Sequence, residues 1–180
     1  MIKRFFHRRI AALEKAFGYD ASYLHEIADI SPAAIFKFGL FQVMSAHRDG
    51  VPKDAWYAAR LAAALDEDCG PCTQIVVDMA LKDRVPPAQI ASLLNGDFAA
   101  AGEDAVLGFR FGHAVAARTD AIMTLSAEAE RRFGKRGLVS LAYAVACSRV
   151  YPALKRALGH GQACIRVRVG DEPVTIHRAA

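Results

Sequence analysis

The chain has no obvious run of apolar residues long enough to cross a membrane, although 53% of its 180 residues are hydrophobic. The longest candidate, over 137–148, ends at Arg149. The basic N-terminus lacks a long apolar segment and a cleavage site, so no secretory signal is expected. Cysteine is also scarce, and four residues are too few for a disulfide-stabilised scaffold. These absences favour a globular protein of the reducing cytoplasm.

The charge pattern gives no sign of a nucleic-acid partner. The net charge is +4, but both signs are mixed along most of the chain, and no basic stripe alternates with aromatic residues beyond the N-terminus. The length predicts a single domain over 1–180. Within it, 1–18 form a basic amphipathic helix and 160–180 a separate C-terminal tail.

The N-terminal helix has one apolar face, made by residues spaced three and four apart and ended by Gly18. The residues of this face are Ile2, Phe5, Phe6, Ile10, Leu13 and Phe17. Such a helix could lie on a membrane surface, or it could pack on its own domain or on a neighbouring subunit. We favour packing, because an apolar stripe of this width is typical of a packed helix.

Helical patterns dominate the rest of the chain. Asp20 or Ser22 can begin a short helix, and Ser31-Pro32 begins the next, over about 32–47. That helix is apolar on nearly all sides, so we expect it to be central. Further helices are predicted over about 53–65, 69–82, 88–94, 103–118, 127–133 with Ser126 as its cap, and 138–151, with a loop over 134–137.

The C-terminal tail departs from this pattern. Ile165, Val167 and Val169 alternate with arginines, 170–173 resemble a turn, and 174–176 resemble a second strand. The predicted fold class is therefore all-α, with a short C-terminal β-hairpin.

The segment 66–74 contains Cys69 and Cys72, which are spaced to meet on one side of a helical turn and to form a disulfide. With Pro71 in the first turn, the pair opens a helix, whose N-terminus favours a thiolate. The three carboxylates at 66–68 oppose this by raising a thiol pKa. The directions in which these carboxylates point decide the balance.

Three interpretations of the pair are open: thiol redox chemistry, a metal site, and a structural pair without turnover. A zinc site needs four ligands, and no second C-x-x-C or H-x-x-x-H supplies the other two. Cys147 lies within an apolar helix as a small hydrophobe, and Cys164 stands alone near His160. No metal or other cofactor is therefore predicted.

Cys-Gly-Pro-Cys is the tetrapeptide of thioredoxin, but a predicted helix precedes it here where thioredoxin has a strand. The order helix, acidic turn, C-x-x-C and helix over 52–80 resembles the AhpD-like alkylhydroperoxidase and carboxymuconolactone decarboxylase superfamily. The second half is similar over 104–119 and 138–159. The resemblance spans most of 32–159 and leaves both termini outside it.

The resemblance implies an all-α helical bundle that assembles as dimers, trimers or hexamers. It implies that Cys72 attacks a peroxide to form a sulfenic acid, that Cys69 resolves it to a disulfide, and that a partner thiol protein reduces the pair. The family's relay histidine falls at Val76 and its glutamate at Tyr57. Valine carries no proton, and Tyr57 can hydrogen-bond a thiolate or a water but is a poor base at neutral pH.

Other residues could replace the missing base only if the fold brings them to the pair. The candidates considered are Gln74, Asp78, His47 and His113, with weaker claims for His7, His25, His160 and His177. The leading hypothesis is a thiol oxidoreductase with catalytic Cys72, Cys69 and Tyr57, capable of weak hydroperoxide reduction. The alternative is a non-catalytic oligomeric scaffold or binding protein with a vestigial cysteine pair.

Overall fold

The computed structural model describes residues 2–161 and 167–176, and within these ranges the chain is mostly helical. The first four helices are α1 (Ile2–Phe17), α2 (Ser22–Ile30), α3 (Pro32–Ser45) and α4 (Lys53–Asp66). They are followed by α5 (Gly70–Lys82), α6 (Pro87–Asn95), a 3₁₀ turn (Phe98–Ala100), α7 (Glu103–Ala117) and α8 (Ile122–Ala157). A β-hairpin, β1 (Val167–Val169) and β2 (Glu172–Val174), ends the described chain. The predicted all-α fold with a C-terminal hairpin is confirmed.

The central helix is α4, whose residues from Ala55 to Ala64 are all buried. It packs chiefly on α7, and also on α8 and α5. Alanines on α4 meet glycines on α7, so the two backbones come close together. A Cβ atom added to Gly112 would lie 2.5 Å from the carbonyl oxygen of Ala59. Small side chains, rather than large apolar ones, therefore set the centre of this fold.

The expectation that α3 is central is wrong. Only Ile35 and Ser45 of α3 are buried, whereas four of its large apolar side chains are 42–73% exposed. These exposed side chains are Phe36, Leu40, Val43 and Met44. Its tertiary contacts are with α1, α2 and α8, which cover one side of it. A helix that is apolar all round still buries only the faces that other elements reach.

The apolar face of α1 packs on its own domain, except at the N-terminal end of the helix. Ile10 is buried, and Phe6, Leu13 and Phe17 pack on an apolar cluster formed with α2 and α3, which is separate from the main core around α4. The outer end of the face stays open, since Ile2 and Phe5 are 60% and 58% exposed. Packing within the domain thus accounts for most of the stripe.

The boundaries within α8 differ from those predicted. Gly134, with φ 71° and ψ 175°, is the only interruption, so the predicted loop over 134–137 is a single-residue break. Ser126, predicted as a helix cap, lies inside the helix. By length and composition α8 could cross a membrane, contrary to the expectation from the sequence, but core helices of soluble proteins have the same properties. Of its most apolar window, 44% is buried inside the protein.

Val167 and Val169 of the hairpin pack into the main apolar core, and the Gln74 side chain ties the hairpin to α5 by hydrogen bonds. Arg168 N donates to Gln74 Oε1 at 2.7 Å, and Gln74 Nε2 donates to the Arg168 carbonyl at 2.9 Å. Val167 pairs with Val174 in antiparallel register. The second strand begins at Glu172, two residues earlier than predicted, because the turn needs only Gly170 and the residue after it. The predicted strand residue Ile165 lies outside the described residues.

Candidate functional site

The cysteine pair opens α5 as the sequence predicts. Cys69 is the N-cap residue, with extended backbone, and Pro71 lies in the first turn. The Cys69 carbonyl accepts hydrogen bonds from the backbone N–H of Thr73 at 2.9 Å and from its hydroxyl at 3.1 Å. A disulfide joins Cys69 to Cys72, with their Cα atoms 5.2 Å apart. Both cysteines are buried at the helix N-terminus.

The acidic residues before the pair have partners of their own. Glu67 accepts a hydrogen bond from Arg149 Nε at 2.7 Å and pairs with Arg156, both on α8. Burial raises the pKa of Glu67, but the hydrogen bonds from these arginines outweigh it and leave that pKa below its ordinary value. Asp66 pairs with His113 at 3.0 Å, although burial keeps the pKa of Asp66 above its ordinary value.

None of these three carboxylates lines the cavity that Cys72 lines. Asp66 and Asp68 line a different cavity, with His113. The question left open by the sequence is thus answered in part. The acidic triplet does not line the Cys72 cavity, and Glu67 is paired with arginines, so the triplet opposes thiolate formation there less than its proximity in the sequence implies.

Cys72 lines a cavity of about 440 Å³ between the main core around α4 and the apolar cluster of α1, α2 and α3. The cavity is bounded by α1, α2, α3, α4, α5 and α8 and is mostly apolar. Val76, one turn after Cys72, and Tyr57, on α4, line the same cavity. The structure thus places Cys72, Val76 and Tyr57 on the wall of one cavity, which Cys69 does not line.

No residue beside Cys72 in this cavity is a good base. Burial raises the pKa of Tyr57, and the Asp83 carboxylate raises it further, so the phenol stays protonated at neutral pH. Asp83 is the only carboxylate among the residues that line the cavity, and it pairs with Arg48 at 2.8 Å. It follows the end of α5, so helical rise places it about 16 Å along the axis from Cys72.

The other candidates from the sequence lie elsewhere. His47 packs against the ring of Tyr143, and its carbonyl accepts the Trp56 indole N–H. Gln74 binds the hairpin and donates to Asp78 at 2.8 Å. His7 and His25 stack on each other away from the cavity, and His160 pairs with Glu26. Cys147 is fully buried, and Cys164 and His177 fall outside the described residues.

Sequence reasoning missed Arg60, which is 5% exposed and lines the Cys72 cavity. Its guanidinium carbon lies 4.5 Å from the centre of the Trp56 ring, and Nη2 donates to Ser45 Oγ at 3.5 Å. Burial lowers the pKa of Arg60. The sequence does show a charged residue inside an alanine-rich helix. The neighbouring residues do not show which side chains from other parts of the chain contact it.

The chain matches no protein-family model, no curated protein and no solved structure. A function for this site therefore depends on its own geometry and chemistry. Among the described residues, no group of three or more His, Cys, Asp or Glu side chains is arranged to hold a metal ion.

Proposed function

We propose that the protein is a thiol-based oxidoreductase, in which Cys72 and Cys69 cycle between dithiol and disulfide and reduce organic hydroperoxides slowly. One observation carries the proposal: Cys72 forms a disulfide with Cys69 and also lines a cavity of about 440 Å³. A cavity of this size is typical of small-molecule sites. The likeness of 52–80 to AhpD-like peroxidases supports the same reaction.

The reaction begins from the dithiol. The Cys72 thiolate attacks the distal oxygen of a hydroperoxide ROOH, and the O–O bond breaks to give Cys72 sulfenic acid and, after protonation, the alcohol ROH. The Cys69 thiol then attacks the sulfenic sulfur, releasing water and forming the disulfide. A partner protein with two thiols returns the pair to the dithiol by exchange and is itself oxidised. We place this cycle in the cytoplasm, where such reductants keep thiols reduced.

The position of the pair favours the required thiolate. Cys72 is the third residue of α5, where the unpaired backbone N–H groups and the helix dipole stabilise negative charge. Because none of the described residues places a base beside it, the thiolate depends on this local field, and turnover should be slow. The same lack of a base favours the alternative function, a non-catalytic scaffold or binding protein with a vestigial pair.

Mass spectrometry of alkylated protein distinguishes the thiol oxidoreductase from the non-catalytic scaffold. Reduced protein treated with cumene hydroperoxide is expected to lose both free thiols at Cys69 and Cys72, while Cys147, fully buried, stays alkylatable only after unfolding. In Cys69→Ser protein, dimedone should label Cys72 as the trapped sulfenic acid. A folded protein whose Cys69 and Cys72 stay fully reduced under excess hydroperoxide excludes the redox proposal and leaves the scaffold.

We also propose that the chain forms a homo-oligomer, with the exposed apolar face of α3 in the interface. Light scattering after size exclusion should then give a multiple of the chain mass, and Val43→Glu, at a side chain that is 73% exposed, should lower it. Met123→Glu is the matched control, since Met123 is 78% exposed on α8. A monomer at all concentrations, or equal effects of both variants, contradicts this assembly.

A further inference from the structure

The cavity contains a buried cation that no acidic residue neutralises. Arg60 pairs with no carboxylate of the described residues, and its Nε has no hydrogen-bond partner among them. The titratable groups that influence it electrostatically are Tyr57, Tyr151 and Cys147, whose pKa values burial raises, so all three are protonated and uncharged at neutral pH. Burying a guanidinium without an anion lowers the stability of the folded protein. We therefore expect Arg60 to have an anionic partner that binds from outside the chain.

The described groups that contact the Arg60 guanidinium are polar or aromatic, and none of them is charged. Ser45 Oγ, on α3, accepts from Arg60 Nη2 at 3.5 Å and from the Tyr151 hydroxyl at 3.4 Å. The Tyr151 hydroxyl, on α8, also lies 3.1 Å from Gln42 Oε1, to which it can donate. Trp56 offers the face of its ring. These groups orient the guanidinium but bring no negative charge to it.

Much of the rest of the cavity wall is apolar. Leu13 and Phe17 of α1, Leu24 of α2, and Ile75 and Met79 of α5 line it. An inorganic anion would pair with Arg60 but would leave the apolar side chains of the cavity exposed to water. A molecule with one anionic end and an apolar body satisfies both.

We propose that this cavity binds a monocarboxylate with an apolar tail, whose carboxylate pairs with Arg60. The guanidinium fork matches a carboxylate in two parallel hydrogen bonds, and a single arginine balances a single negative charge. The tail lies among the α1, α2 and α5 side chains. Binding of this kind does not depend on the redox state of the cysteines. If the redox proposal holds, the substrate class becomes hydroperoxides that bear a carboxylate, because Cys72 lines the same cavity.

The protein carries its own reporter for this binding. Trp56 is the only tryptophan in the chain, and its ring lies against Arg60. Decanoate titrated into the disulfide form should change Trp56 fluorescence saturably, and calorimetry should give one site per chain. Decanol, which has the tail without the charge, and acetate, which has the charge without the tail, should both bind at least tenfold more weakly.

Arg60→Met tests the role of the cation, since methionine fills similar space without charge. We expect it to weaken decanoate binding about 30-fold or more, as when one partner of a buried charge pair is removed. Decanol affinity should stay unchanged, and the melting temperature of the unliganded protein should rise, because an unpaired buried charge is gone. Arg110→Met, beside Phe98 in the other cavity, is the matched control and should bind decanoate as the wild type does.

The outcomes separate this proposal from the redox proposal. Equal affinity of wild-type protein for decanoate and decanol overturns the proposed carboxylate site, and this comparison needs no variant. Unchanged decanoate binding by folded Arg60→Met overturns it as well. Decanoate binding by a protein whose cysteines never oxidise would support the anion site and exclude the redox cycle.

Discussion

Gly108→Val is expected to leave the chain largely unfolded at room temperature. A Cβ atom at Gly108 would lie 2.8 Å from the carbonyl carbon of Ala55 and closer still to its oxygen, in the backbone of α4. Backbone atoms at the centre of a helix pair cannot rotate away as a side chain can. Overpacking usually costs about 1–3 kcal/mol, and a clash with backbone should exceed that range. Since whole domains are stable by only about 5–15 kcal/mol, valine here should remove most of that stability.

Urea denaturation followed by circular dichroism measures the effect, with Gly108→Ala as the milder step. Gly39→Ala is the matched control, because Gly39 also lies inside a helix, α3, but an added Cβ meets nothing within 4 Å. Alanine there should stabilise the protein by about 0.5–1 kcal/mol through helix propensity. If Gly108→Ala raises the free energy of unfolding as much as Gly39→Ala does, the backbones of α4 and α7 do not approach as closely as described.

Val76→His combined with Tyr57→Glu is expected to raise the rate of hydroperoxide reduction about 100-fold or more, the range of general acid–base catalysis. Both positions line the Cys72 cavity, and residue 76 follows Cys72 by one helical turn. The new imidazole could then take the Cys72 proton. A glutamate at 57 would lie one turn before Arg60 on α4, which keeps that carboxylate ionised.

Stopped-flow single turnovers with reduced protein give the rate directly. In the double variant the rate should rise through a pKa near that of histidine, about 6.5. Val76→Asn with Tyr57→Gln is the matched control, since it introduces polar groups that accept no proton at neutral pH. A double variant no faster than this control would mean that the cavity does not present these positions to the Cys72 sulfur.

Local features of this chain follow from the sequence. The Ser31 hydroxyl accepts from Ala34 N at 3.2 Å ahead of Pro32, as the cap pattern predicts. Cys69 and Pro71 start α5, and the alternation near Val167 forms a strand. Each of these depends on residues a few positions apart, whose backbone preferences and hydrogen bonds are set by their immediate neighbours.

The tertiary structure decided which surfaces meet. Periodicity marked α3 as apolar but could not show that only one of its sides is covered, nor that an alanine-rich helix meets Gly108 and Gly112 to become the core. It could not show where Glu67 points, or that Arg60 would be buried next to Trp56 without an acidic partner. These contacts join residues far apart in the chain. The sequence by itself therefore determined most of the helices, the cysteine pair and the hairpin, whereas packing between distant segments determined the cavity and its unpaired charge.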